Sequence, residues 1–216
     1  MPYTRYFTDN PPKQVRSKET LEKLLKALDD LLIDDYFEQI KVTDICSRAG
    51  VSVGNFYRRF KSKEELLPYL YKVAKYEYFN WFQTLIEKNW KGDLNSRVEQ
   101  LIQATLWYHH QDQHIFRTTL LYGRLHPQQI DGKKQELSLY KQLLESWIDC
   151  TSEYDQDALH SAFEYLGYTL SVLAADWIIF PDSPPAVSFE MNQRMFIAQT
   201  AAMFQAYLTA QCKKTG

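Results

Sequence analysis

Residues 42–67, VTDICSRAGVSVGNFYRRFKSKEELL, admit few folds. Two short helical patterns flank a tight turn, and a third follows almost at once. The first runs from Thr43 to Ala49 and stops at Gly50. The second runs from about Val53 to Phe60 after Ser52, and the third opens at Ser62. Thr43 and Ser52 are placed as N-caps, each oxygen accepting from an otherwise unpaired backbone N–H, worth ~1 kcal/mol. Gly50 suits the left-handed residue that ends a helix. Ser62 and Glu65 have the spacing of a capping box. Helices this short bury no core alone, and the second carries Tyr57, Arg58 and Arg59. So tight a pair is the pattern of a helix-turn-helix that reads DNA.

The flanking sequence supplies what such a pair must rest on. A helix starting near Ser17 carries Leu21, Leu24, Leu25, Leu28, Leu31 and Leu32 at three- and four-residue spacing, which makes one apolar stripe. The expected small core is this stripe with Ile40, Val42, Ile45, Ala49, Val51, Phe56 and Phe60. After Ser62 the helical pattern continues to about Asn89, and Pro68 falls inside it, where a missing donor can bend the first turn. Residues 1–16 are polar and hold Pro2, Pro11 and Pro12. They read as a flexible arm, with Arg5, Lys13 and Arg16 able to follow a DNA backbone or enter a minor groove. A solvated tail is the alternative.

Charge distribution matters more than the total here. The net charge is −2, but residues 1–63 carry 12 Lys and Arg against 9 Asp and Glu, and residues 64–216 carry 13 against 18. Within 41–63 there are six basic residues and one acid, Asp44. A local basic footprint, not whole-chain charge, governs DNA affinity. The three cysteines, Cys46, Cys150 and Cys212, are odd in number and far apart. That disfavours a disulfide framework or structural zinc and suits a reducing cytoplasm. No apolar run reaches about 18 residues, so no membrane span is expected, and the first residues lack an apolar signal core.

Beyond the reading stretch the expectation is helix throughout: about 94–111, 114–123, 133–153, 155–180 and 188–211, with firm breaks at 123–132 and 181–188. The fold class is therefore all-α, with a three-helix DNA-binding domain at 17–63 and a larger helical domain at 64–216. His110 and His114 are spaced as i and i+4, but Gln113 and a helix break separate them, so no metal site is expected. No nucleophile elbow, phosphate-binding Gly-rich loop or H-E-x-x-H is present, so no enzyme and no cofactor are expected.

The run from Val42 to Leu67 resembles the DNA-binding domain of TetR-family transcriptional regulators. Asp44-Ile45, Ala49-Gly50-Val51-Ser52, Gly54, Tyr57, Phe60, Lys63 and Leu66 stand at the positions of that family's pattern. Asn55 replaces a common Thr, Arg59 a common His and Cys46 a common Ala. The similarity covers roughly residues 17–70.

The DNA-contact residues expected are Thr43, Ser52, Val53, Gly54, Asn55, Tyr57, Arg58, Arg59 and Lys63. In chemical terms Arg58 or Arg59 can bond guanine, Asn55 adenine, and Val53 a thymine methyl. Gly54 lets the backbone come close, and Thr43 and Lys63 lie at helix N-termini that favour phosphate. Tyr57 resembles the family's phosphate-binding tyrosine. Each has a plainer alternative: a solvated face for the arginines, a core place for Tyr57, an ordinary surface lysine for Lys63.

The resemblance implies that residues from about 70 onward bind an effector and form a homodimer through the last two long helices. Leu159, Phe163, Leu166, Leu170, Met195, Ala198 and Ala202 are the interface candidates. Trp107, Tyr108, His110, Phe116, Tyr122, Tyr140, Trp147, Tyr168 and Trp177 are candidates to line a pocket for a small hydrophobic or aromatic effector. Ordinary core packing is the alternative for each. The function expected is a repressor released from a nearly palindromic double-stranded operator by that effector. The alternative is a helix-turn-helix protein without an effector, controlled by a protein partner.

Overall fold

The computed structural model describes residues 15–126, 133–174 and 192–212. Ten α-helices occupy these residues and no strand does: α1 (Val15–Leu32), α2 (Val42–Ala49), α3 (Val53–Tyr57), α4 (Leu67–Ile86), α5 (Leu94–Gln111), α6 (Gln113–Leu125), α7 (Lys133–Glu145), α8 (Ile148–Thr151), α9 (Gln156–Ala174) and α10 (Gln193–Gln211). A 3-10 turn, Lys63–Leu66, precedes α4. The all-α expectation holds. The arm at 1–14, Trp177 and the loop at 181–188 lie outside the described residues. No helix among the described residues is long and apolar enough to cross a membrane.

Packing divides the chain into two compact units, and not at residue 63. One contains the described residues up to 80 together with 114–126; the other contains 81–113, 133–174 and 192–212. The reason is α6. Although distant in sequence, its Ile115 and Tyr122 are buried in the same cluster as the leucines of α1.

In the first unit Leu24, Leu25, Leu28 and Leu32 of α1 lose essentially all exposure, as do Ile45 of α2 and Phe56 of α3. Full burial of such side chains stabilises by about 1.5–3 kcal/mol each relative to exposure. Gly50 sits at φ 64°, where a side chain is strained, and its N–H helps close α2. The caps differ in part from expectation. Ser52 Oγ accepts from the Asn55 N–H at 3.2 Å, as its position requires. Thr43, however, is inside α2, because the Asp44 carboxylate accepts from the Lys41 N–H at 3.0 Å and starts the helix earlier. Likewise Glu65 reaches the Lys61 N–H at 2.9 Å rather than boxing with Ser62. Pro68 is the second residue of α4, where its missing N–H has no intrahelical partner to lose.

The second unit is built on aromatic rings. Trp147 meets Trp90 edge-on at 5.0 Å and Phe163 at 5.7 Å, and Phe163 meets Phe204 at 5.2 Å. Trp147 is fully buried and leaves the helical conformation, so the expected helix at 133–153 is broken into α7 and α8. Arg97 holds the start of α8 by a two-pronged bond to Asp149. Tyr140 lies against Phe82 and over Gly167, where an added Cβ would overlap its hydroxyl.

His109 is buried in this second unit, and burial pushes its pKa down to about 4. The unfolded chain takes up this proton near the ordinary value of about 6.5. Between pH 6.5 and 4 the unfolded state therefore holds the extra proton, and stability falls as pH falls through that window, by at most about 1.4 kcal/mol per pH unit. Urea melts from pH 7.5 to 4.5 should show this slope, and His109→Leu should flatten it.

Candidate nucleic-acid interface

The helix-turn-helix presents a polar, cationic face. On α3 and just after it, Val53 is 38% exposed, Tyr57 is 56% exposed, Gly54 and Arg58 are exposed, and Asn55 and Arg59 are half-buried. Phe56, between them, points inward with no exposure. The short helix thus has one residue anchoring it and its remaining side chains turned outward. An added Cβ at Gly54 would meet nothing within 4 Å, so that surface is open.

Tyr57 keeps its hydroxyl outward while its ring packs edge-on against Phe56 at 5.4 Å. That contact fixes an exposed phenol without burying it. Thr43 and Ser52 are exposed at the first turns of α2 and α3. The Thr43 hydroxyl donates to Asp44 at 3.3 Å, and Ser52 is occupied as the cap. Arg58 Nη2 donates to Asn55 Oδ1 at 2.7 Å, so these two outward residues form one group. On α2, Arg48 lies 3.7 Å from Asp30.

Lys63 departs from the expected phosphate role. Its ammonium donates to three backbone carbonyls, Phe37 at 2.6 Å, Glu38 at 3.0 Å and Ile40 at 2.7 Å. The same group lies 4.7 Å from the centre of the Phe37 ring. An ammonium has three N–H donors, and all three are engaged. Lys63 therefore ties down the α1–α2 connection, and through it the start of α2.

Residues of α6 hold the other side of that connection, a contribution absent from the expected set. Arg117 Nη2 donates to the Leu32 carbonyl at 2.8 Å and the Asp35 carbonyl at 3.0 Å, and its guanidinium covers the Tyr36 ring at 4.2 Å. His114 Nε2 lies 2.9 Å from Asp29 Oδ1. Phe37 packs edge-on against Tyr122. Lysine or arginine near a helix C-terminus is a general signal for carbonyl capping, but the partners here are 82 to 85 residues away.

The described effector candidates fall in both compact units. Trp107, His110 and Tyr168 are exposed. Tyr108 stacks on Trp81 at 4.4 Å, and Trp147 and Tyr140 are packing residues of the second unit. Phe116 and Tyr122 belong to the first unit. The interface candidates divide by face. Leu159, Phe163, Leu166 and Leu170 have at most 2% exposure and pack inside their own unit, so they are not surface residues. Met195, Ala198 and Ala202 are exposed on α10. The outward apolar residues of α9 are instead Tyr165, Tyr168 and Val172, with Met203 and Tyr207 on α10.

Comparison with known proteins bears on this face. Residues 24–70 match the family model described as bacterial regulatory proteins, tetR family. A curated relative, the uncharacterized HTH-type transcriptional regulator YwcC of Bacillus subtilis (strain 168), is 40% identical over 57 residues, which is 26% of this chain and 26% of that protein. The match thus spans about a quarter of the relative's length. Over the whole fold, a solved structure of a protein from Mesorhizobium loti MAFF303099, assigned to the TetR family of transcriptional regulators, superposes with a TM-score of 0.63. It is 15% identical, and the match covers 93% of this chain and 100% of that one. Salmonella enterica GusR superposes with a TM-score of 0.56 at 16% identity, over 92% of this chain and 100% of that one.

The clamp role of Lys63 has a measurable consequence. Lys63→Ala leaves three carbonyls without their charged donor and should destabilise the protein by about 1–3 kcal/mol in urea unfolding. Lys61→Ala, at an exposed neighbouring position, should cost less than about 0.5 kcal/mol.

Proposed function

We propose that this chain is a homodimeric repressor of the TetR family of transcriptional regulators, whose family model its residues 24–70 match. It is a DNA-binding regulator and not an enzyme. Residues 17–63 are its reading head, supported by the first part of α4 and by α6; the rest of 64–216 serves effector binding and dimerisation, and the residues before α1 are an arm. The cytoplasm is its place of action. The observation that carries this reading is α3, which spends one residue, Phe56, on the core and keeps Val53, Asn55, Tyr57 and Arg58 outward. In the major groove this face reaches base edges and phosphates.

Two reading heads require two chains. Tyr165, Tyr168, Val172, Met195, Met203 and Tyr207 form an outward apolar surface on α9 and α10 that suits a self-complementary contact. Ala198 and Ala202 between them allow close approach of a second pair of helices. Such a dimer reads half-sites about 34–36 Å apart in a nearly palindromic operator. A small hydrophobic or aromatic effector would act by favouring one arrangement of α6. Arg117 would carry a shift of α6 to the α1–α2 connection, and His114 would carry it to Asp29 of α1. Tyr108, Tyr140 and Trp147 take packing roles, the plainer alternative for those candidates, and control by a protein partner in place of an effector is the second reading.

Tyr57→Phe should weaken binding to all duplexes by about 3- to 10-fold with little change in base preference, since a phosphate contact carries no sequence information. Fluorescence anisotropy on specific and scrambled duplexes measures both. Equal affinity of the variant and the parent for both duplexes would remove Tyr57 from the contact set. Met203→Asp buries a carboxylate in the proposed dimer contact. Light scattering should then report a monomer whose helical circular dichroism matches the parent protein. A dimer that persists would mean that α10 does not form the interface.

A further inference from the structure

We propose that Asn55 reads no base of its own but aims Arg58 at a guanine, so that the two residues specify one base pair together. The proposal rests on the DNA-binding reading above and goes further, to the division of labour between two side chains. Asn55 lies in the first turn of α3, its backbone held by Ser52 Oγ at 3.2 Å. Arg58 closes the helix one turn later, its N–H bonded to the Gly54 carbonyl at 3.2 Å. Both backbones are therefore fixed, and the side chains meet at 2.7 Å between Arg58 Nη2 and Asn55 Oδ1. A charge-assisted bond of this length is among the stronger neutral-to-charged contacts.

The chemistry sets the orientation. A guanidinium has only donors, so the amide must turn its carbonyl toward Arg58. Reading adenine requires that same carbonyl to accept from N6 while the amide nitrogen donates to N7. The arginine takes one of that oxygen's two lone pairs and fixes the direction in which the amide faces, so while the pair persists the amide is not free to turn both its oxygen and its nitrogen to adenine. Arg58 keeps four of its five N–H groups. Its unused edge still offers two parallel donors, the arrangement that fits guanine O6 and N7. Holding a long side chain in place before binding also lowers the ordering cost of the contact.

Selection of binding sites from random duplexes tests this with the full chain and its Asn55→Ala, Arg58→Ala and double variants. The expected result is a guanine enriched at one position of each half-site. Arg58→Ala should reduce that preference about tenfold or more. Asn55→Ala should weaken the same preference several-fold and leave the salt slope unchanged, because the arginine charge remains. The double variant should be no worse than Arg58→Ala alone. Both side chains are outside the core, and matching thermal melts check that the variants fold. Loss of an adenine preference at a separate position in Asn55→Ala, with effects that add to those of Arg58→Ala, would overturn the proposal. Enrichment of no sequence by the parent protein would overturn both this proposal and the DNA-binding reading.

Discussion

Leu24, Leu25, Leu28 and Leu32 present one dry surface, and it is the floor of the cluster in which Ile45 and Phe56 of the short helices are buried. A five-residue α3 forms a single turn, too short to be stable in water. It persists because Phe56 is driven into the leucine stripe and Ser52 supplies the missing acceptor at its start. The exposed polar face follows directly. Once Phe56 is committed inward, Val53, Asn55, Tyr57 and Arg58 have only the outside left. Packing of a single aromatic ring therefore sets the direction in which four outward residues point.

Cations complete what apolar packing starts. The α1–α2 connection has no regular hydrogen-bonding ladder, so its carbonyls need donors from elsewhere. Lys63 gives three bonds to it from one side and Arg117 two from the other, counting the last turn of α1. Lys63 is one of the cations that the sequence reading assigned to DNA. It keeps its charge, because carbonyls are neutral, but its three N–H donors are committed to the framework. Arg58, bonded to a neutral partner, keeps its whole charge for DNA.

The parts legible in the sequence were those written by local chemistry. The leucine spacing, Gly50 at the end of α2, the Ser52 cap and the all-helical composition each depend on residues within a few positions of one another. The failures share another cause. Lys63 meets carbonyls 23 to 26 residues earlier, and a carbonyl has no residue identity to betray it. Trp147 reads as part of a continuous helix until Trp90 and Phe163 are brought to it. On α9 the sequence did not say which apolar residues turned inward, so Leu159, Phe163, Leu166 and Leu170 were assigned to a surface they do not occupy.

The amino-acid order alone thus determined that the chain is helical, where the helix-turn-helix lies and which residues suit DNA, because capping, periodicity and turn chemistry act over one or two helical turns. Tertiary structure decided which cations remain available to a ligand, which face of α9 is outside, and that α6 packs in the unit of the reading head. Those outcomes depend on contacts between segments tens of residues apart, whose energies exist only after the backbone has folded them together. The stretch from Val42 to Leu67 folds as the helix-turn-helix its spacing announces, and Lys63 within it bonds the connection that holds it.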